Sequence, residues 1–216
     1  MIAKFINCQV IPSLKSTFSE GQACWQRTAE SDGFIAQSGG WQKNSAIILA
    51  LWESKNAADR FMKFAHDAIA EETQQQGSYS SIEVDYFTRV LEVAANNCHA
   101  KVNSGFTSCN AIKAHVNSAQ FIHISRGEVL ASNTAAFIEQ QSKTLASAMT
   151  GPTGMLTGLL LRSNKHPQQF MLVSYWLNEL SHQRALHNQQ YAITEQNPMI
   201  ASIVDFQINI EPNWLC

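Results

Sequence analysis

The feature of this sequence that most constrains its fold is an internal repeat. Two apolar runs that end in Trp, at residues 46–52 and 170–176, lie 124 residues apart, and sequence with helical periodicity follows each of them. Three more pairs of short segments match in the same order at separations of 116 to 121 residues: 4–7 with 120–123, 33–34 with 154–155, and 84–87 with 204–207. Because ordered matches at a nearly constant separation are rare by chance, the repeat predicts a duplicated fold.

Each half has the pattern strand, helix, strand, strand, helix, strand. Alternating and helical spacings of apolar residues predict strands at 2–12, 33–42, 45–53 and 79–93 and helices at 13–29 and 57–72. The second half repeats the plan, with strands at 119–125, 154–162, 168–176 and 201–210 and helices near 132–149 and 179–190. The predicted fold class is therefore α+β, with two tandem ferredoxin-like (βαββαβ) halves.

The predicted domain organisation has three parts. Residues 1–93 form the first half, residues 94–118 form a linker or a surface helix, and residues 119–216 form the second half. A four-stranded sheet with both helices on one face leaves its other apolar face uncovered, and packing two such sheets together would bury it. We therefore expect an internal pseudo-dimer with a lumen for a small molecule, with a homodimer of whole chains as a further arrangement.

Composition and charge exclude several classes of partner. The longest apolar run, 46–52, is far shorter than the roughly 20 residues that cross a bilayer, so no membrane span is predicted. A net charge of −2 provides no basic field for a phosphate backbone, which argues against nucleic acid. Five cysteines without a Cys-x-x-Cys pair predict neither a disulfide framework nor a metal site. Together with an N-terminus that lacks the long apolar region of a signal peptide, they favour the cytoplasm.

The first half resembles a known superfamily. The residues that carry the resemblance are Gly33-Phe34-Ile35-Ala36-Gln37-Ser38-Gly39-Gly40-Trp41, Ala50-Leu51-Trp52-Glu53-Ser54, Phe61-Met62 and His66-Asp67. They are similar to an uncharacterised group within the dimeric α/β-barrel superfamily named for antibiotic-biosynthesis monooxygenases (ABM-like). The resemblance covers residues 1–93, whereas the second half keeps the plan and Trp176 but few of the identities.

The resemblance implies two kinds of chemistry. Heme-degrading members use an Asn on the first strand, an aromatic residue on the second helix and a His that ligates iron, and Asn7, Phe61 and His66 fall in corresponding places. The aromatic residue in those enzymes is Trp, so Phe61 departs from their pattern. Cofactor-free relatives that oxidise quinone-like molecules use polar and aromatic residues in the same cavity. The resemblance thus implies a monooxygenase without a cofactor, and heme is the alternative cofactor.

The side-chain chemistry agrees with such a site. The amide of Asn7 can donate to a developing oxyanion or to bound oxygen, and a neutral His66 can accept a proton or bind a metal. Flat apolar walls for a planar ligand are offered by Trp25, Trp41, Trp52, Phe61 and Trp176. Each of these aromatic residues could instead belong to the hydrophobic core, and Asn7 could lie on an exposed strand edge.

Three functions follow as hypotheses. The first is an ABM-like monooxygenase that acts on a small aromatic or polycyclic molecule. The second is a non-catalytic barrel that binds a small molecule or serves in a stress response, and the third is a heme-binding or heme-degrading protein. Oxygen consumption distinguishes the first from the second, and a Soret band that depends on His66 would identify the third.

Overall fold

The computed structural model describes residues 1–94, 97–102, 108–149, 154–187 and 197–216. The strands are β1 Ile2–Val10, β2 Phe34–Gln42, β3 Ser45–Trp52, β4 Tyr79–Ala94, β5 Asn97–Val102, β6 Phe121–Val129, β7 Met155–Ser163, β8 Gln169–Trp176 and β9 Ile200–Asn209. The α-helices are α1 Lys15–Ala23, α2 Lys55–Phe64, α3 His66–Thr73, α4 Cys109–Ser118, α5 Thr134–Ala148 and α6 Glu179–His187. None of these helices has the length and apolar character needed to cross a membrane.

The chain forms two compact units. Unit 1 contains Met1–Tyr86 and Ile208–Cys216, and unit 2 contains Phe87–Gln207. Strand β4 therefore contributes its first half to unit 1 and its second half to unit 2. The association of the C-terminal residues with unit 1 is not predicted from the sequence, which assigns them to the second half.

In unit 1 the sheet has the order β2-β3-β1-β4. Strand β1 pairs with β3 in an antiparallel register that runs without a shift from Ile2 opposite Trp52 to Gln9 opposite Ser45. Because side chains alternate along a strand, Ile6 and Cys8 point to one face, where they pack with Phe18 of α1. This is the helix-covered face of the sheet.

Unit 2 repeats this topology with the order β7-β8-β6-β9, in which each strand takes the place of its counterpart in β2-β3-β1-β4. The second half of β4 adds to the β7 edge and pairs in turn with β5. The two units also share a local irregularity, since the register shifts between Phe34 and Ala36 on β2 and between Met155 and Thr157 on β7. The fold is α+β with two tandem ferredoxin-like halves, as the sequence predicts.

Strands β2 and β7 begin with the same backbone arrangement. Gly33 and Gly154 precede β2 and β7 with φ angles of 76° and 78°, which a residue with a side chain rarely adopts. Their carbonyl oxygens accept hydrogen bonds from the backbone N–H groups of Glu53 at 2.8 Å and Leu177 at 2.9 Å. The repeat thus extends to backbone conformation.

The strand register corrects one of the sequence matches. Ile2 of β1 pairs with Trp52, and Phe121 of β6 pairs with Trp176, so the first strands superpose at a separation of 121 − 2 = 119 residues rather than 116. By this register Lys4, and not Asn7, occupies the position of His123. The match of 4–7 with 120–123 is therefore wrong by three residues.

Several element boundaries also differ from the prediction. The helix predicted at 57–72 is divided into α2 and α3 at Ala65, whose φ of −126° interrupts the helix. The break leaves Phe64 on the surface, 74% exposed, and puts His66 at the start of α3. The helix predicted at 13–29 ends at Ala23 and continues as the 3₁₀ segment Cys24–Glu30.

Residues 94–118, for which the sequence predicts a linker or a surface helix, include both a strand and a helix. These are β5 and α4, and the apolar side of α4 is buried through Ile112 and Val116. The side chain of Ser108 caps α4 by accepting a hydrogen bond from the backbone N–H of Ala111 at 3.3 Å.

The C-terminal residues of unit 1 cover the free edge of β2. The backbone N–H of Gln37 donates to the carbonyl of Cys216 at 2.8 Å, and Cys216 returns a hydrogen bond at 3.2 Å. A Cβ on Gly40 would lie 2.2 Å from the carbonyl oxygen of Asn209, so only glycine admits this approach. Covering an edge strand in this way prevents it from pairing with another chain.

Trp214 is the anchor of this segment. Its buried ring contacts Phe18 and Trp41 at centroid distances of 5.9 and 5.2 Å, and its indole N–H donates to Ser19 at 3.0 Å. We expect Trp214→Ala to lower the free energy of unfolding by about 3–5 kcal/mol, measured by urea unfolding followed by far-UV circular dichroism. Leu177→Ala, at a half-exposed site, is the control and should cost well under about 1 kcal/mol. Equal effects of the two substitutions would contradict this account.

Candidate functional site

Four of the predicted site residues meet on the helix-covered face of unit 1. The rings of Trp52 and Phe61 contact each other at a centroid distance of 4.9 Å in a tilted arrangement, and those of Phe61 and His66 form an edge-to-face pair at 5.9 Å. Trp25 lies 6.5 Å from Phe61 and 5.2 Å from His66. We call Trp25, Trp52, Phe61 and His66 the unit 1 aromatic cluster.

Local sequence explains how α2 reaches this position. The Ser54 side chain caps α2 by accepting a hydrogen bond from the backbone N–H of Ala57 at 3.2 Å. Ala57 and Ala58 are buried, and their small side chains allow the helix to approach the sheet. One turn later Phe61 meets Trp52, and the break at Ala65 directs the following residue, His66, to the same cluster.

Trp25 is held from another direction. Its indole N–H donates to the side-chain oxygen of Gln75 at 2.9 Å. The amide of Gln75 is buried and donates in turn to the carbonyl of Phe18 at 2.7 Å. This chain of hydrogen bonds fixes the Trp25 ring beside His66.

The cluster has a buried part and an accessible edge. Trp52 and Phe61 are buried, so they serve as packing between sheet and helix. Trp25 is partly exposed, and the side chain of His66 is 24% exposed. A ligand that approaches from solvent would therefore meet Trp25 and His66 first.

The contact between His66 and Asp67 defines the chemistry of the imidazole. Nδ1 of His66 lies 2.9 Å from a carboxylate oxygen of Asp67. An ionised carboxylate only accepts hydrogen bonds, so Nδ1 carries the proton in this contact. In the neutral ring Nε2 is then unprotonated and can accept a proton.

The remaining unit 1 candidates lie elsewhere. Asn7 is partly buried and points away from the helix-covered face, since it lies between Ile6 and Cys8 in an unshifted strand. Trp41 packs with Phe18 and Trp214 and lies below the amine of Lys15, 4.3 Å from the ring centroid. The fold therefore does not bring Asn7 or Trp41 together with His66.

Trp176 belongs to a separate cluster in unit 2. Its indole N–H donates to Ser174 at 2.7 Å, and its ring meets His182 of α6 at 5.2 Å. The His182 ring also contacts the rings of Phe121 and His123 in tilted arrangements, at centroid distances of 5.0 and 4.6 Å. Burial and the nearby His123 lower the pKa of His182 to about 3, whereas Asp205 acts to raise it, so His182 is neutral at ordinary pH.

A half-exposed acid lies beside these histidines. Nε2 of His123 is 3.3 Å from Asp205 of β9, and the Ser125 hydroxyl donates to the same carboxylate oxygen. Burial tends to raise the pKa of Asp205, but the hydrogen bonds from His123 and Ser125 and electrostatic attraction to the two imidazoles lower it overall. Because Ser125 donates to the acid instead of to His123, this is not a nucleophilic triad.

Neither cluster offers a set of metal ligands. Within the described ranges, no three His, Cys, Asp or Glu side chains converge as a metal site would require. The group formed by His123, His182 and Asp205 was not predicted because these residues are far apart in sequence. The usable signal was the polar residue in the otherwise apolar run 121–124.

Sequence reasoning also missed Lys4. It lies on the helix-covered face opposite Ala50, it is only 8% exposed, and its amine contacts Sδ of Met62 on α2 at 3.2 Å. No ion pair involves Lys4 in the part of the chain that the structure describes. Burial lowers its pKa from 10.5 to about 8. The signal was a lysine inside an apolar strand, where a charge is costly.

Comparison with known proteins places the first half in a family. The family defined as a domain of unknown function, DUF4937, matches residues 2–87. The uncharacterized protein YdbC of Bacillus subtilis (strain 168) is 36% identical over 92 residues, which cover 40% of this chain and 77% of YdbC. Both of these matches cover the first half of the chain.

Similar folds extend over the whole chain. A proposed monooxygenase of Fusobacterium nucleatum is similar at a TM-score of 0.73 and 11% identity, over 97% of this chain and 91% of that protein. The fold is also similar to that of an uncharacterized ferredoxin-fold protein of Listeria monocytogenes that is related to antibiotic biosynthesis monooxygenases. The TM-score is 0.51 at 10% identity, over 98% of this chain and 95% of that protein. At these identities the likeness concerns the fold.

Lys4 makes stability depend on pH in a defined window. Between pH 8 and 10.5 the unfolded chain binds a proton at Lys4 that the folded chain does not, so the free energy of unfolding rises with pH there. We expect Lys4→Met to be more stable than the native protein by about 3 kcal/mol at pH 7, with the difference shrinking toward pH 10.5. Urea unfolding at a series of pH values measures this.

The matched control is Lys143→Met, at a side chain that is 75% exposed. It should change the free energy of unfolding by less than about 0.5 kcal/mol at every pH. A difference between the native protein and Lys4→Met that does not vary with pH would refute the burial of a charged amine at this position.

Proposed function

We propose that this chain, which belongs to the family of YdbC and shares its fold with proteins related to antibiotic biosynthesis monooxygenases, is itself a cofactor-independent monooxygenase of the ABM-like superfamily that acts on a small hydroxylated aromatic or polycyclic molecule. The observation that carries the proposal is the accessible edge of the unit 1 aromatic cluster, where Trp25 lies 5.2 Å from His66. This edge lies within the residues that the family match covers.

The proposed reaction begins with proton removal. A flat substrate lies against the Trp25 ring, and Nε2 of His66 accepts a proton from a ring-activated CH₂ group. The carbanion transfers electrons to O₂ and forms a carbon–oxygen bond. The remaining C–H bond of this carbon then breaks and the O–O bond is cleaved, so the carbon becomes a carbonyl. The second oxygen atom leaves as water with that hydrogen and the proton that His66 returns, and four electrons pass from substrate to O₂. Asp67 holds the imidazole in the tautomer that this step needs.

Heme fits these residues poorly. The resemblance implies that an Asn on the first strand, an aromatic side chain on the second helix and an iron-ligating His act together on one heme. His66 and Phe61 share a cluster, but Asn7 points to the opposite face. We therefore assign no step to heme and none to Asn7.

Substitution of His66 tests the proposal. Hydroxylated anthrones, which carry such a CH₂ group, should drive oxygen uptake by the native protein, measured with an oxygen electrode after subtraction of uncatalysed oxidation. We expect His66→Ala to lower kcat about 100-fold or more, because a positioned base contributes about that much, with little change in KM. His66→Gln, which keeps the size of the side chain but not its basicity, should behave similarly.

Two controls make the result specific. His166 is exposed and remote in sequence from the cluster, and His166→Ala should retain the native rate. Trp25→Leu should raise KM more than it lowers kcat, since it removes a wall and leaves the base. Full activity in His66→Ala would refute the assigned base. Binding of these compounds without any oxygen uptake would instead favour the non-catalytic binding protein.

A further inference from the structure

The two units treat one position of the first strand differently. Lys4 of β1 and His123 of β6 are equivalent by register, and both are buried on the helix-covered face of their sheets. In unit 2, His123 has Asp205 and the Ser125 hydroxyl beside it. In unit 1 the position equivalent to Ser125 is Ile6, which offers no polar atom. The same buried position thus has polar partners in one unit and lacks them in the other.

Lys4 is consequently short of acceptors. An ammonium group has three N–H donors, and Met62 Sδ is a weak acceptor. A charge in such surroundings is costly unless an acceptor joins it, and buried charges in proteins are normally paired. The opposite residue on β3 is Ala50, whose side chain has no acceptor to offer the amine.

The surroundings of the amine indicate what kind of acceptor could bind. Ala50 and Met62 both belong to the apolar core that contains Trp52 and Phe61, so the amine borders an aromatic region. Met62 is partly buried and flexible, and its side chain can move aside to admit a ligand atom. An oxyanion on a flat apolar ring supplies a negatively charged acceptor for the amine and also fits the aromatic surroundings. A strongly hydrated anion such as phosphate supplies the acceptor but does not fit the aromatic surroundings.

We propose that Lys4 is the oxyanion-binding residue of the unit 1 site and that it takes the deprotonated hydroxyl or enolate oxygen of a flat aromatic ligand, with the Met62 side chain displaced. This inference rests on the proposed function, for which it names the ionisation state of the ligand and the group that recognises it. Lys4 thereby assumes the role that the resemblance implied for Asn7.

The direct test uses 4-nitrophenol, whose phenolate is yellow, and 4-nitroanisole, which has no ionisable hydroxyl. With the native protein in excess, an absorbance titration should show the pKa of bound 4-nitrophenol at least about one unit below that of the free compound, because a nearby cation favours the anion. Lys4→Met should abolish the shift and weaken 4-nitrophenol binding at least about tenfold, while 4-nitroanisole binds both proteins equally. Lys143→Met should match the native protein.

A second variant guards against misfolding. Lys4→Gln keeps a polar side chain of similar length without the charge, and it should also lose the shift; circular dichroism verifies that both variants fold. The inference is overturned if bound 4-nitrophenol titrates like the free compound, if either variant keeps the shift, or if the native protein does not bind the probe.

The outcomes separate this inference from the proposed function. A lowered pKa of bound 4-nitrophenol that depends on Lys4, together with no oxygen uptake from any substrate, would support the oxyanion site and refute the monooxygenase. Oxygen uptake that depends on His66, without any effect of Lys4 on the bound probe, would support the monooxygenase and refute the oxyanion site.

Discussion

The unshifted pairing of β1 with β3 determines which side chains can form the unit 1 site. Alternation along β1 sends Lys4 and Ile6 toward the helices and Asn7 toward the opposite face. A shift of the register by a single residue would exchange the side chains on the two faces. The register therefore determines whether the amide of Asn7 or the amine of Lys4 lies on the same face as the aromatic cluster. The break at Ala65 then brings His66 to that face, and the two constraints together place a base and a cation on the same side of the sheet.

Much of the architecture is readable from the sequence because it depends on local periodicity and on the repeat. The Trp-terminated strands β3 and β8, the glycines at 33 and 154 and the strand–helix order all carry signals within a few residues. Three members of the unit 1 aromatic cluster were also predictable as neighbours, since Trp52, Phe61 and His66 follow one another along a strand and the two short helices after it. Such features need no knowledge of which distant segments meet. Trp25, by contrast, joins these three residues from a distant segment.

The features that were not predicted all depend on distant pairing or on phase. The equivalence of Lys4 and His123 appears only when β1 is aligned by its pairing with Trp52 and β6 by its pairing with Trp176. The sequence alone does not give this alignment, because the segments between corresponding strands differ in length between the two halves. The His123–Asp205 contact joins residues from β6 and β9. The α2–α3 break changes the helical phase after Phe64, and no Gly or Pro announces it in the sequence.

The central claim is that the ligand site of unit 1 lies on the helix-covered face and that Lys4 and Met62 contact the ligand there. It is tested most directly by isotope-filtered NMR on protein with ¹³C-labelled Met and Ile methyl groups and bound 4-nitrophenol. The claim predicts cross-relaxation between the ligand ring protons and the Met62 methyl group. Cross-relaxation confined to Ile47, which pairs with Asn7 and shares the opposite face, would contradict it.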